Sequence, residues 1–187
     1  MIVLLFGVSN VGKSTVGKVL AEKLDYHYFD VDDAVKEKYH MTMQNFVDKY
    51  DLQERDKRRA KLVNECIKTY KNNIVIAVTP TTYLNYYHNI ISRNDVLNVV
   101  LDDDDENIFE RLVFTDDNDQ ILSDSVEYRN KHKAYYLREI HEDRLYFKSV
   151  YSVLGNVLHM HNQLPEKVVA MIIDKFNLEW YIKKGNM

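Results

Sequence analysis

Residues 7–14 read Gly-Val-Ser-Asn-Val-Gly-Lys-Ser, the eight-position pattern G-x-x-x-x-G-K-[ST] of a phosphate-binding loop. Immediately before it, residues 2–6 are an unbroken apolar run, Ile-Val-Leu-Leu-Phe. Immediately after it, residues 15–24 place their apolar members at helical spacing. Strand, loop and helix in that order are the setting the motif requires. Gly7 and Gly12 let the main chain turn tightly and approach phosphate oxygens, while backbone N–H groups and the positive end of the following helix face the anion. Lys13 is placed to neutralise charge on the β- and γ-phosphates, and Ser14 to offer its hydroxyl to Mg²⁺. The nucleotide-binding set is therefore Gly7, Asn10, Val11, Gly12, Lys13, Ser14 and Thr15, and the expected ligands are ATP and Mg²⁺.

Outward from this loop, residues 2–6, 26–29, 74–78, 96–101 and 156–160 are strand candidates. Helical patterns lie at 13–24, 31–50 in two pieces, 53–72, 82–93, 104–112, 124–153 and 164–177. Strands separated by helices pair in parallel through right-handed crossovers. The expectation is a three-layer α/β fold, a five-stranded parallel sheet with helices on both faces. Residues 1–187 read as a single domain, with 180–187 as a loosely held tail.

Composition narrows the function. Twenty-five Lys and Arg against 29 Asp and Glu give a net charge of −4, which argues against a general nucleic-acid binder. The apolar runs are too short to span a bilayer, and no basic segment precedes the first of them, so neither membrane nor signal peptide is expected. The single cysteine, Cys66, has no partner for a disulfide and lies on an apolar helical pattern, which fits packing in a reducing cytoplasm.

In an open parallel sheet, ligands gather beyond the carboxyl ends of the strands. After the second strand come Asp30 and Asp32, spaced so that an extended chain points both carboxylates to one side. One suits the water shell of Mg²⁺ and the other suits orienting a hydroxyl that attacks the γ-phosphate. We assign Asp30 to the metal and Asp32 to the acceptor, although either could instead cap the helix that follows. Asp102 to Asp105 open a helix, where acids complement the helix dipole better than they imply a metal. Arg55, Lys57, Arg58, Arg59 and Lys61 form a basic helix bordering the expected cleft, with Arg55 and Arg58 the candidates for an acidic acceptor. The seven histidines show no metal-ligand spacing with cysteine.

These residues carry a resemblance to the shikimate kinases, small relatives of the nucleoside-monophosphate kinases. The loop and first helix followed by Phe29-Asp30-Val31-Asp32 match that family's opening. Glu110-Arg111-Leu112 resembles the segment whose arginine lies against adenine, and Leu164-Pro165-Glu166 the one whose proline flanks the base. The resemblance implies a P-loop kinase with a short lid, here about residues 112–130, and adenine contacts from Arg111 and Pro165.

Two departures stand beside these matches. Where the family carries a glycine triad whose amides approach the substrate, this chain has Thr79-Pro80-Thr81-Thr82, with a missing N–H at Pro80. Thr79 and Thr81 become candidate acceptor contacts, and shikimate is expected to be a poor acceptor. The lid segment 112–122 reads as two short strands around an Asp-Asn-Asp turn and holds no arginine. Phosphate clamps then fall to Arg129, Arg138 or Arg144 on the next helix; Arg138 and Arg144 are the catalytic candidates, and each taken singly also suits a solvated or salt-bridged helix face. The expected activity is ATP-dependent phosphoryl transfer to a hydroxyl of a small, anionic molecule by a monomer or weak dimer. The alternatives are a nucleoside or nucleotide kinase and a nucleotide-binding regulator with little transfer.

Overall fold

The computed structural model describes residues 1–114, 116, 118, 120 and 126–184. Five parallel strands form one sheet in the order β2-β3-β1-β4-β5: β1 Ile2–Phe6, β2 His27–Asp30, β3 Ile74–Ala77, β4 Val96–Asp102 and β5 Val157–His159. β1 lies at the centre, bonded to β3 on one side and β4 on the other. Each expected strand is present within a residue or two at its ends.

All five residues of β1 are fully buried, because both faces of a parallel sheet are covered by helices. Alternation along the strand divides them between two cores. Val3 and Leu5 join Val16, Leu20 and Leu24 of α1 (Lys13–Leu24) and Val169 and Ile172 of α8 (Pro165–Lys175). Ile2, Leu4 and Phe6 join Val35 of α2 (Val31–Tyr39), Phe46 of α3 (Met43–Lys49) and Val63 and Ile67 of α4 (Leu52–Tyr70). Cys66 is buried in this second core, and burial pushes its thiol up to about 12, consistent with packing.

The turns follow from their sequences. α2 and α3 separate at His40, which closes α2 in the left-handed conformation, and Thr42 caps α3 by accepting the N–H of Asn45. Asp51 caps α4 by accepting the N–H of Glu54. The helix expected over 82–93 is broken into a 3-10 turn, Leu84–Tyr87, and a short α5, His88–Ile91. Its first residues are held outside helical geometry by contacts described below. α6 spans Asp105–Glu110, and α7 is a 26-residue helix, Val126–Tyr151. Of the segment expected as a loose tail, residues 180–184 belong to α9, Glu179–Lys184, with Tyr181 packed on the first core, and residues 185–187 lie outside the described residues.

The expected lid hairpin falls partly outside the described residues. Of its members that are described, Leu112, Val113, Phe114, Asp116, Asn118 and Gln120 lie in no strand. The Asp116 carboxylate accepts the N–H groups of Asn118 and Gln120, each at 2.9 Å, an aspartate-led turn. Among the described residues, no helix is long and apolar enough to cross a membrane.

Candidate active site

The loop between β1 and α1 is shaped by its neighbours. A Cβ at Gly7 would lie 2.5 Å from the carbonyl oxygen of Leu101 on β4, and its φ of +140° is one that side-chain-bearing residues rarely adopt. Only glycine fits there. Gly12, at φ +114°, starts α1, whose first turn carries Lys13, Ser14 and Thr15. Lys13 is buried, and its Nζ donates to the carbonyls of Gly7 at 3.0 Å and Val8 at 2.7 Å. Burial lowers its pKa to about 8, opposed by the nearby carboxylates of Asp32 and Asp30.

The strand register brings the carboxylates to this loop. Asp30 pairs with Ala77 at the ends of their strands, so two residues beyond, Asp32 in the first turn of α2 and Thr79 in the loop after β3 come together. The Thr79 hydroxyl donates to Asp32 Oδ1 at 2.6 Å. Asp30 caps α2 through Oδ1, which accepts the N–H of Asp32 at 3.0 Å. Its other oxygen, Oδ2, accepts the hydroxyls of Ser14 at 2.7 Å and Tyr28 at 2.8 Å. Capping and site geometry are thus one function of one residue. Ser14 and Asp30 together present hard oxygen donors, the ligand type Mg²⁺ prefers.

Ser9, Asn10, Gly12, Lys13, Ser14, Thr15, Asp30, Asp32 and Thr79 line a single cavity of about 750 Å³, whose other walls include Lys36, Met43 and Pro80. Arg111 also lines it. Its guanidinium pairs with the fully buried Asp103 and donates to the carbonyl of Val11 at 3.2 Å, which fixes it on the phosphate loop. Asp103 in addition accepts the N–H of Asn162, just ahead of Pro165 at the first turn of α8. One buried carboxylate therefore organises both segments expected to flank a base.

Other expected residues are engaged elsewhere. Neither Arg55 nor Arg58 lines the cavity. Arg58 pairs with Glu54 at 2.8 Å and stacks 4.1 Å from the centre of the Tyr50 ring, while the Nε of Arg55 is buried without a hydrogen-bond partner. Arg144 pairs with Asp102 and Asp105, and Arg138 is exposed, lying 5.8 Å from the centre of the Tyr135 ring. Arg129 donates to the carbonyls of Phe109 and Leu112, closing the end of α6.

The loop after β3 is bound from behind. Pro80 has no N–H. The N–H of Thr81 donates to the Tyr151 hydroxyl at 3.0 Å, and those of Thr82 and Tyr83 both donate to Asp56 Oδ2, at 2.8 and 3.0 Å. Asp56 is fully buried and paired with Arg59. Thr81 is itself buried and does not line the cavity. The sequence reading missed Asp56, Asp103, Tyr151 and Lys36. For Asp56 the available signal was an acid flanked by Arg55 and Lys57 in a basic helix, three residues before an arginine.

With this geometry in view, comparison with known proteins is decisive. A model of the shikimate kinase family matches residues 9–177. The chain belongs to the shikimate kinase family. Members of the family use ATP with Mg²⁺. Among individual relatives, the chain is similar to the shikimate kinase of Staphylococcus aureus strain JH9, at 31% identity over 67 residues. That match spans 36% of this chain and only 38% of the relative's length. The fold resembles the solved shikimate kinase of Bacteroides thetaiotaomicron with a TM-score of 0.74 at 16% identity, over 95% of this chain and 98% of that one. It also resembles the Aquifex aeolicus enzyme, TM-score 0.67 at 21% identity, over 95% and 96% of the two chains. A third, from Acinetobacter baumannii and solved in complex with shikimate, has a TM-score of 0.66 at 18% identity, covering 94% and 92%. At these identities the structures establish the shared fold.

Proposed function

We propose that this protein transfers the γ-phosphoryl group of ATP to a hydroxyl of a small anionic acceptor other than shikimate. The observation that carries the reading is the convergence of Lys13, Ser14, Asp30, Asp32 and Thr79 on one cavity. ATP would lie along residues 7–15 with its base toward Arg111 and Pro165. Ser14 and Asp30 would hold Mg²⁺, which when bound screens phosphate charge. The acceptor oxygen forms a bond to the γ-phosphorus as the bridging oxygen leaves with ADP, and the hydroxyl proton passes to Asp32. Lys13 then moves from its own loop carbonyls to the phosphates, and supplies fixed positive charge where negative charge is displaced.

Support for an altered acceptor comes from the loop after β3. Its N–H groups at Thr81, Thr82 and Tyr83 are bonded inward, and Pro80 has none. An acceptor meets no free amide from Pro80 to Tyr83. In this reading residues 1–187 form one kinase domain with its lid near 112–130, acting in the cytoplasm as a monomer or weak dimer and binding no nucleic acid.

Calorimetry with MgATP, followed by assays of ADP release with shikimate, sugar acids, polyols and nucleosides, tests the proposal. Lys13→Ala should reduce turnover by about a hundredfold or more. Asp32→Asn should keep MgATP binding and lose transfer. Turnover on shikimate at ordinary kinase rates, about 1–100 s⁻¹, would refute the altered acceptor. Turnover confined to nucleosides would move the assignment to a nucleoside kinase.

A further inference from the structure

We infer that Lys36 is the residue that selects the acceptor, by gripping an anionic group on the molecule whose hydroxyl meets Asp32. The inference rests on the phosphoryl-transfer reading above. Asp32 and Lys36 are four residues apart in α2, hence on one helix face with their Cβ atoms roughly 5–6 Å apart. Both line the cavity. Lys36 lies one turn farther from the Asp30 end of the helix, where Ser14 is held.

The other cations of this wall are committed. Lys13 belongs to the phosphate loop, and Arg111 is fixed by Asp103, Val11 and Asn162. Among the described residues no further lysine or arginine lines the cavity. The present partner of Lys36 is Asp33 at 3.2 Å, a pair whose side chains are 40% and 69% exposed. Exposed pairs of this kind contribute little and exchange readily for a better anion. On the opposite wall the backbone from Pro80 to Tyr83 donates inward or not at all, so it offers an anion no amide. A carboxylate or phosphate in the acceptor half of the cavity is therefore neutralised by Lys36.

This arrangement sets the acceptor's charge. The anionic group must lie on the same molecule as the hydroxyl that meets Asp32, since both residues face one cavity. A neutral polyol, or a nucleoside without phosphate, leaves Lys36 unanswered.

The test titrates matched probes onto the MgADP-loaded protein by calorimetry: gluconate against glucitol, quinate against its methyl ester, and glycerol 3-phosphate against glycerol. A charged member should bind about tenfold or more tightly than its neutral counterpart, and the pair that responds identifies carboxylate or phosphate as the anion. Lys36→Met should erase the preference and Lys36→Arg keep it, with MgADP affinity unchanged in both. Persistence of the preference in Lys36→Met, or its absence from all three pairs in a protein that binds MgADP, overturns the role of Lys36. Failure to bind MgADP overturns the nucleotide reading beneath it and the inference with it.

Discussion

At the residue scale, Lys13 holds its charge against burial. With its pKa lowered to about 8 by desolvation, the free protein loses this charge as pH rises through that value. Bound phosphates favour the charged form, so binding above about pH 8 must draw a proton onto Lys13. MgATP affinity should be insensitive to this group below pH 8 and fall by up to about tenfold per pH unit above it. Calorimetry in buffers of different ionisation enthalpy measures the proton uptake, and Lys13→Met should abolish it. The same burial makes a stability prediction of opposite sense. The unfolded chain holds the Lys13 proton up to its ordinary value of 10.5, so this residue's contribution to stability rises as pH climbs from about 8 towards 10.5. Thr79 lends itself to a second experiment. Its hydroxyl fixes one oxygen of Asp32, so Thr79→Val should lower kcat by roughly tenfold to a hundredfold through loss of alignment, with KM for ATP unchanged. Thr79→Ser should restore the rate; a Thr79→Val enzyme with undiminished kcat would remove this role.

At the element scale, α1 lies close enough to β2 that a Cβ at Gly17 would sit 2.8 Å from a Tyr28 ring carbon. The ring cannot swing away freely, because its hydroxyl is bonded to Asp30. Gly17→Ala gains about 1 kcal/mol of helix propensity against roughly 1–3 kcal/mol of overpacking, so the net effect should be a lower melting temperature. Asp56 secures α4 to the loop after β3. Asp56→Ala leaves the buried Arg59 and two half-buried amide donors without their partner and should cost about 3–5 kcal/mol in denaturant unfolding, more than Asp56→Asn, which keeps an acceptor oxygen. These elements also mark how far the chain could be read unaided. The inner strands β1 and β3 announce themselves because burial on both faces demands unbroken apolar runs, and the P-loop because its chemistry is local in sequence. Asp56 and Asp103 do not, since the backbone amides they hold, of Thr82 and Asn162, lie 26 and 59 residues away and their exposed neighbours look alike in charge. Arg55 and Arg58 read as cleft residues for the same reason in reverse: charge is visible in the sequence, but the direction a helix face points is set by packing.

At the scale of the whole molecule, ligand binding and folding are linked. At a concentration one hundred times its Kd, MgATP should stabilise the native state by about 2.7 kcal/mol, an increase of roughly 5–10 °C in melting temperature for a chain of this size. Lys13→Ala should show little of that increase at the same concentration, which a thermal-shift titration reads directly. The division of β1 between two cores has a further consequence, for how this chain can change over generations. Exchanging one aliphatic residue of Ile2–Phe6 for another alters a few contacts, whereas removing one sends side chains beyond the gap to the opposite face. It would also draw Gly7 away from the Leu101 carbonyl it passes so closely. The strand that aims the phosphate loop is thus open to substitution but closed to insertion and deletion, so lineages that acquire new acceptors must do so in the connections beyond the sheet.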